Sequence, residues 1–303
     1  MNEQAAAGLK IRQNVRLSEY TTMRVGGNAR YFAEVTRAED VPELLLFAEK
    51  QNLPLLVLGN GSNTLVRDGG FEGLVLHFGD SFAQIKVEGT KIIAQAGAKL
   101  PAVAREAAEH SLTGFEFAGG IPGSVGGAVF MNAGAYGGEI AQVLESVTLL
   151  EDGQIRTLSV DEMELSYRHS RLNRTGGLVL EAVFRLKAGN PQEISQLMSD
   201  FTNRRREKQP LQYPSCGSFF KRPKGYFAGA LIEQANLKGY RVGGAQVSEK
   251  HAGFIINTGS ATARDVLELM KYVQKTVSDR FGVMLEPEVR IEGIPGDQEK
   301  DLT

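Results

Sequence analysis

The segment from Gly119 to Gly138 constrains this chain most, because eight of its twenty residues are glycine. Glycine lets the backbone adopt positive φ or approach a ligand closely. Apolar residues that can anchor a packed core, including Ile121, Val125 and Val129, stand between the glycines. An anchored loop with an open backbone is suited to holding a large ligand through its main-chain N–H groups. A glycine-dense turn in a β-rich domain is the alternative interpretation.

A second glycine loop lies at Leu58–Asn63, where a buried strand candidate runs into Gly-Asn-Gly-Ser-Asn. Consecutive N–H donors and small polar side chains in such a turn can form a nest for a pyrophosphate. A Rossmann fingerprint needs a third glycine, and Thr64 stands at that position. An ordinary Asn/Gly turn explains this loop alone at least as well. The two loops together predict a long dinucleotide bound in an extended form, and FAD has the required length.

The composition is that of a globular chain without a marked charge. The chain has 303 residues, a formal net charge of -2 and 42% hydrophobic residues, which allows two or three domains. This balance gives no indication of general binding to nucleic acid or to a membrane surface. Cys216 is the only cysteine, which excludes an internal disulfide and fits a reducing compartment. We expect a cytoplasmic protein with no membrane span.

Hydrophobic periodicity indicates mixed helices and strands, with a domain boundary near residue 190. The composition changes at Gly189–Pro191, and a helix is predicted from there to Lys208. Gly282 is expected to end the last helix in a left-handed conformation, and the polar tail from Gly293 is expected to fray. Thr36–Glu39 fits a capping box for the first helix. Further strands are predicted at Leu55–Leu58, Val143–Leu150, Gln154–Leu158 and Leu178–Leu186, and further helices at Leu100–His110, Ala228–Ala235 and Ala261–Phe281.

Arg168 lies in the polar segment Ser166–Ser170, between two strand candidates. A guanidinium can hold a carboxylate through two parallel hydrogen bonds, although an arginine paired on the surface is an equally good interpretation. His169 is a candidate base, but a partly exposed structural histidine explains it better. The spacing of the histidines fits no metal-binding motif, so we predict no metal site.

The turn Ser215–Ser218 contains the single cysteine and a glycine that can present a side chain at a tight bend. The nucleophile elbow Gly-x-Ser-x-Gly is absent, and a lone cysteine such as Cys216 is predicted to be buried and inert. Ser218 is the more interesting residue of this turn. Near the C-terminus, Leu285–Arg290 is predicted to be an edge strand that presents the carboxylate of Glu288.

Seven short blocks, in a fixed order, cover nearly the whole chain. They are Thr21–Asn28, Leu58–Asn63, Gly120–Ala128, Tyr167-Arg168, Gly217–Lys221, Gly243–Val247 and Glu286–Arg290. Any one block is a weak signal, but all seven in order are highly specific. Together they resemble the family of UDP-N-acetylenolpyruvoylglucosamine reductases (MurB), flavoenzymes of peptidoglycan precursor synthesis.

The resemblance implies an α+β chain: a PCMH-type FAD-binding fold of two subdomains plus a C-terminal α+β substrate-binding domain. The implied boundaries are 1–190 for the FAD-binding part, divided near residue 70, and 191–303 for the substrate domain. The 285–292 strand would return to the flavin site. FAD would be bound non-covalently by residues of the two glycine loops, namely Gly59, Asn60, Gly61, Ser62, Asn63, Gly119, Gly120, Ile121, Pro122, Gly123, Ser124, Gly126, Gly127 and Ala128.

The resemblance also implies the reduction of UDP-N-acetylglucosamine enolpyruvate to UDP-N-acetylmuramate, with NADPH as co-substrate. NADPH would reduce FAD, and flavin N5 would then deliver hydride to the enolpyruvyl methylene carbon. Arg168 and Glu288 match family residues that polarise the substrate carboxylate, and Ser218 matches the proton donor. The implied substrate-binding residues, of which Lys208 matches a lysine at the UDP diphosphate, are Tyr167, Lys208, Tyr226 and Gln246. We expect a monomer.

Two positions depart from the family pattern. Ser170–Gly177 runs directly into the next strand, without the insertion that carries a substrate-clamping tyrosine in one branch of the family. The chain therefore resembles the shorter branch. Arg222 stands where some members have asparagine, which bears on the contacts with the diphosphate and not on the chemistry.

Two other functions remain open at this stage. One is a different FAD oxidoreductase of the same fold, acting on a hydroxy acid or an alcohol and carrying a covalent flavin. Neither glycine loop contains a histidine for such a link. The other is a nucleotide-binding protein without catalysis, which would not need Arg168, Ser218 and Glu288 together.

Overall fold

The computed structural model describes residues 10–299, and this part of the chain divides into two compact units. Unit 1 contains residues 10 and 11, Ala33–Asn60 and Leu76–Arg205, and unit 2 contains Arg12–Phe32, Gly61–Val75 and residues 206–299. Both units are discontinuous in sequence. The domain boundaries expected from the sequence follow the chain instead, and they stay a prediction.

The helices and strands predicted between residues 55 and 281 are present, with ends that differ by one or two residues. The edge strand predicted at Leu285–Arg290 is wrong in its bounds, because the strand is Arg290–Glu292 and Pro287 forms only an isolated bridge with Phe220. Helices α1 to α7 are Val41–Lys50, Leu100–Glu109, Val125–Phe130, Leu172–Thr175, Pro191–Lys208, Ala228–Gln234 and Ala263–Phe281. Strands β1 to β19 are Ile11–Arg16, Asn28–Glu34, Leu55–Leu58, Thr64–Val66, Phe71–His77, Ile85–Glu88, Lys91–Gln95, Leu112–Thr113, Gly134–Ala135, Gly138–Glu139, Leu144–Glu151, Gln154–Ser159, Leu178–Arg185, Lys187–Ala188, Ser215–Ser218, Arg241–Val242, Ala245–Val247, Phe254–Asn257 and Arg290–Glu292.

Unit 1 is built on a five-stranded antiparallel sheet in the order β12-β11-β13-β7-β6. The β11–β12 hairpin turns at Asp152 and Gly153, whose φ values of 50° and 71° match the type I′ turn that favours this connection. Helices α2 and α3 pack on this sheet. In α2, Val103, Ala104 and Ala107 are buried along one face, as their helical spacing predicts.

Unit 2 is built on the antiparallel sheet β15-β18-β17-β16 and helices α6 and α7. Thr262 and Asp265 form a capping box at the start of α7, and Gly282 ends the helix at φ 66°, which confirms the predicted left-handed cap. One stripe of α7 is buried in the core, namely Val266, Leu269, Met270, Val273 and Val277. A further sheet has the order β1-β2-β5-β3.

The capping box predicted at Thr36–Glu39 is wrong. Helix α1 begins at Val41, and Asp40 at the N-cap position makes no side-chain cap hydrogen bond. Asp40 accepts hydrogen bonds from Arg37 instead, at 3.2 Å from Nε. Pro42 explains the later start, because proline suits the first turn of a helix, where its missing N–H is not needed.

The C-terminal segment also differs from the expectation that it frays. Ile294 donates its N–H to the carbonyl of Gly70 at 2.8 Å, and the buried Glu299 carboxylate accepts the N–H of Asp68 at 3.0 Å. The segment from Gly293 to Glu299 is thus attached to the turn that follows β4. Among residues 10–299, no helix is long and apolar enough to cross a bilayer.

Replacing Asp68 with alanine should lower the free energy of unfolding by about 1 to 2 kcal/mol. The Asp68 carboxylate accepts the N–H groups of Ala263 and Arg264 at 2.9 and 3.0 Å, so the first turn of α7 would lose both acceptors. Urea denaturation measures the change. The matched control is Glu109→Ala, an exposed carboxylate at the end of α2, which should change stability by less than about 0.5 kcal/mol. Equal losses in the two variants would contradict the capping role.

Candidate active site

The two glycine loops, loop 1 (Leu58–Asn63) and loop 2 (Gly119–Ala128), meet within unit 1. The Asn60 side chain donates from Nδ2 to the carbonyl of Pro122 at 2.5 Å. The Ser124 hydroxyl occupies the place where Gly59 would carry a Cβ. Glycine is therefore required at position 59 for the contact between loops that are about sixty residues apart in the chain.

The second half of loop 1 is fixed within unit 2. Gly61 has a φ of 58°, and its carbonyl accepts the N–H of Thr22 at 3.2 Å. The Thr22 hydroxyl donates to the carbonyl of Ser215 at 2.6 Å. A Cβ on Gly61 would overlap the carbonyl oxygen of Tyr20. The block that begins at Thr21 thus serves to hold loop 1.

Loop 2 is anchored to the chain that follows β7. Val125 and Gly126 donate their N–H groups to the carbonyls of Ala98 and Ala96, each at 2.8 Å. A Cβ on Gly126 would lie 3.1 Å from that of Ala96, so only glycine fits there without a shift. The second half of loop 2 is therefore held by the chain that follows β7.

Arg168 lies in a two-residue turn, since Ser166 and His169 pair through both of their main-chain hydrogen bonds at 3.1 Å. Its φ of 55° costs about 1 kcal/mol or more for a residue other than glycine. The guanidinium donates long hydrogen bonds to the carbonyls of Asn132 and Gly134, at 3.5 and 3.4 Å. A strained backbone and two carbonyl contacts together hold this cation beside the residues that follow α3.

Asn132 and Ser170 position that turn, and sequence reasoning missed both. Asn132 is fully buried, and its side chain accepts the N–H of Ala141 at 2.9 Å and donates to the carbonyl of Ser166 at 3.1 Å. The Ser170 hydroxyl donates to the carbonyl of Phe130 at 2.6 Å. The available signal was a single polar residue, Asn132, in an otherwise apolar run.

Ser218 and Glu288 are brought close together within unit 2. Glu288 donates its N–H to the carbonyl of Phe219 at 2.9 Å, so the two segments pair next to Ser218. Gly217, at φ 74°, lies at an irregularity in the pairing of β15 with β18. The Ser218 side chain is exposed, and its hydroxyl makes no hydrogen bond within residues 10–299. It is therefore available to an external group.

Asn63 connects loop 1 to the segment that carries Glu288. Its side chain donates to the carbonyl of Glu288 at 3.0 Å, and its own carbonyl accepts the N–H of Arg290 at 3.0 Å. Strand β19 then pairs in parallel with β4, which directly follows loop 1. The C-terminal strand thus lies beside the second half of this loop.

The remaining candidates differ in their availability to a ligand. Lys208 is exposed at the end of α5, and Tyr226 is 48% exposed. Gln246 is buried, and its amide donates to the carbonyl of Gly239 and accepts from Arg241, both at 3.1 Å. A ligand would have to compete with these two bonds. Tyr167 is half exposed and lies under the Arg168 guanidinium, 5.0 Å from the ring centroid.

Cys216 is buried, and its burial raises the pKa of the thiol to about 12. The thiol donates to the carbonyl of Thr64 at 3.5 Å. The predicted burial of Cys216 is confirmed, and a thiol with a pKa raised in this way forms almost no thiolate near neutral pH. Among residues 10–299 there is no group of three or more His, Cys, Asp and Glu side chains that could hold a metal ion.

The chain is similar to known proteins along nearly its whole length. The FAD-binding domain pattern matches residues 29–159, and that of the UDP-N-acetylenolpyruvoylglucosamine reductase C-terminal domain matches 209–292. The reductase of this name from Lactiplantibacillus plantarum is 51% identical over 286 residues, 94% of each chain. That from Streptococcus pyogenes serotype M3 is 52% identical over 287 residues, which cover 94% of this chain and 97% of the relative. The crystal structure of the Thermus caldophilus reductase (MurB) has a TM-score of 0.82 at 37% identity and covers 93% and 99% of the two chains.

The residues present in the two glycine loops fit FAD. Both loops lie inside the matched FAD-binding domain. Glycine at positions 59, 61 and 126 allows the close contacts that hold the loops, because a Cβ there would collide with or crowd its surroundings. Neither loop contains an acidic residue that would repel a diphosphate. The backbone and the small polar side chains together make a suitable cradle.

Gly59→Ala should weaken FAD binding by at least about tenfold, or 1.4 kcal/mol, because the new methyl group would overlap the Ser124 hydroxyl and separate the loops. Titration of the apoprotein with FAD, followed by flavin fluorescence, measures the affinity. Adding Ser124→Gly to this variant should recover most of the loss. Gly177→Ala is the matched control, since its Cβ would first meet a flexible Leu172 atom at 3.3 Å. Wild-type affinity in Gly59→Ala would disprove the contact.

Proposed function

Because this chain belongs to the UDP-N-acetylenolpyruvoylglucosamine reductase (MurB) family of FAD-dependent oxidoreductases, we propose that it reduces UDP-N-acetylglucosamine enolpyruvate to UDP-N-acetylmuramate with NADPH as hydride donor. The observation that carries this proposal is the attachment of the segment bearing Glu288, paired next to Ser218, to Asn63 of loop 1. Hydrogen bonds thereby connect the segments that carry Glu288 and Ser218 to a loop whose residues fit FAD.

Arg168 is the proposed ligand for the substrate carboxylate. When bound, FAD supplies the hydride that the enolpyruvyl methylene carbon receives. Negative charge then develops on the adjacent carbon and is delocalised into the carboxylate. The Arg168 guanidinium, held by main-chain carbonyls, can bind that carboxylate through two hydrogen bonds. It stabilises a charge that is largest in the transition state, which lowers the barrier.

Glu288 and Ser218 serve the same developing charge in different ways. Glu288 is the proposed second group, with Arg168, that polarises the substrate carboxylate. Ser218 donates the proton that completes the product. A serine hydroxyl is a weak acid, but the enolate carbon is strongly basic, so a well-placed hydroxyl is sufficient. The absence of a hydrogen bond from this hydroxyl within residues 10–299 supports the role.

Lys208 is the proposed contact for the UDP diphosphate, and its exposed ammonium is free of ion pairs within the described residues. Tyr167, Tyr226 and Gln246 are the further substrate-binding residues of this proposal. FAD is held without a covalent link, since neither loop carries a histidine or a cysteine. The enzyme acts as a monomer in the cytoplasm, where it supplies peptidoglycan synthesis and thereby supports cell shape and division.

An anaerobic titration of the purified protein tests the function. NADPH should bleach the flavin absorbance, and UDP-N-acetylglucosamine enolpyruvate should then restore it. A flavin that bleaches but recovers only with oxygen or another acceptor would point to a different oxidoreductase of the same fold. A protein that takes up no FAD would refute the assignment of the glycine loops.

Ser218→Ala should leave the reduction of the flavin by NADPH unchanged, while turnover of the enolpyruvyl substrate falls by about 10² to 10⁴-fold. Stopped-flow absorbance separates the two half-reactions. The matched control is Ser215→Ala in the same strand, whose side chain has no hydrogen bond within residues 10–299. If Ser218→Ala keeps turnover within about tenfold of wild type, the serine is not the proton donor.

Arg168→Lys should lower kcat for the enolpyruvyl substrate by about 10²-fold or more, because an ammonium cannot reproduce two parallel hydrogen bonds. Steady-state kinetics with both substrates measure the effect. Arg174→Lys is the control in the same segment, since Arg174 is exposed and pairs with Glu164 at 3.1 Å. An unchanged kcat in Arg168→Lys would remove Arg168 from the mechanism.

A further inference from the structure

Helix α5 carries a cation for which unit 1 provides no counter-charge. Arg205 is half-buried, and its Nε atom is buried without a hydrogen-bond partner. It forms no ion pair with any residue from 10 to 299. The adjacent residues Arg204 and Arg206 are exposed. A partly desolvated charge without a partner is unfavourable, and burial lowers the pKa of Arg205 accordingly.

The Arg205 side chain lies directly over the start of loop 2. A Cβ on Gly120 would lie 3.0 Å from Arg205 Nη1 and 3.1 Å from its Cδ. A Cβ on Gly119 would lie 3.3 Å from the terminal methyl of Met198, which is also on α5. Helix α5 therefore covers the two glycines, and its guanidinium is placed against the main chain of the cofactor loop.

An aromatic stack involves the residue of α5 that lies one helical turn before Arg205. Phe201 stacks on Tyr136 with ring centroids 4.6 Å apart and planes at 6°. Tyr136 has a φ of 54°, and this residue also acts electrostatically on Arg205. The stack thus attaches α5, in the turn before Arg205, to the residue that directly follows β9.

Arg205 and Arg168 come from different elements of unit 1 but contact neighbouring segments, the start of loop 2 and strand β9. Arg168 donates to the carbonyl of Gly134 in β9, and β9 packs against the 3-10 helix Glu116–Gly120, which runs into loop 2. Tyr136 follows β9 directly. Arg168 is assigned to the substrate carboxylate, which leaves Arg205 as a cation at the loop itself.

We propose that Arg205 supplies the positive charge that stabilises the reduced, anionic form of the bound flavin. The inference rests on the proposed function only in taking FAD as the cofactor. A hydride from a nicotinamide donor carries two electrons and one proton, so the isoalloxazine gains one negative charge unless a second proton follows. A fixed guanidinium in a partly desolvated position stabilises that charge and raises the midpoint potential. The reduced isoalloxazine would then be the negative partner that Arg205 lacks among residues 10–299.

The test is the midpoint potential of FAD on Arg205→Gln, measured with reference dyes under photochemical reduction, so that neither NADPH nor the sugar substrate is needed. The preference of the protein for reduced over oxidised FAD should fall at least tenfold, a shift of about 30 mV to lower potential for a two-electron couple. Affinity for oxidised FAD should stay within about threefold. Arg205→Lys, which keeps the charge, should recover most of the preference.

Arg204→Gln is the matched control, because it removes the same charge from the adjacent, exposed position of α5 and should leave the preference unchanged. Arg205→Met retains the aliphatic packing, and it should behave like Arg205→Gln if charge is the cause. A preference within twofold of wild type in Arg205→Gln and Arg205→Met overturns the proposal. So does an equal loss of affinity for oxidised and reduced FAD, which would assign Arg205 to the diphosphate. A wild-type protein that binds no FAD would instead refute the proposed function.

Discussion

The contact between Gly59 and Ser124 is the interaction on which the candidate site of unit 1 depends. The serine hydroxyl lies where a side chain at position 59 would begin, and Asn60 adds a hydrogen bond to Pro122 in the same loop. Two turns about sixty residues apart in the chain are thereby held against each other. Helix α3 is attached through its first N–H groups to Ala96 and Ala98, which directly follow β7 of the five-stranded sheet.

Charge in unit 1 is placed for two different purposes. Arg171 forms an ion pair with the buried carboxylate of Glu151 at 3.0 Å, so both charges are used within the fold. Arg205 is held by packing against Gly120 and has no such partner among residues 10–299. A cation that is held by packing, and that forms no ion pair with a carboxylate, can still pair with a negatively charged ligand. This difference separates a structural arginine from a functional one more clearly than exposure does.

The features that could be predicted from the sequence are those that depend only on residues close together in the chain. The hairpin at Asp152-Gly153, the cap at Gly282 and the bend at Gly217 each follow from one glycine in a local turn. The late start of α1 was missed because Pro42 outweighed a plausible cap. The motifs indicated which residue types belong to the site, but not that Asn132 positions Arg168. That role depends on hydrogen bonds between residues more than thirty positions apart, and periodicity contains no information about such pairs.

The discontinuity of the two units has a consequence for the synthesis of the chain on the ribosome. The Asn63 side chain is held by the carbonyl of Glu288, 225 positions further along the chain, and the Asn63 carbonyl accepts the N–H of Arg290. Domains commonly fold as they emerge, but the second half of loop 1 lacks these two hydrogen bonds until the chain has been synthesised past Arg290. A nascent chain that ends before Glu288 is thus expected to hold this half of loop 1 through the hydrogen bond from Thr22 to Gly61 and without those at Asn63.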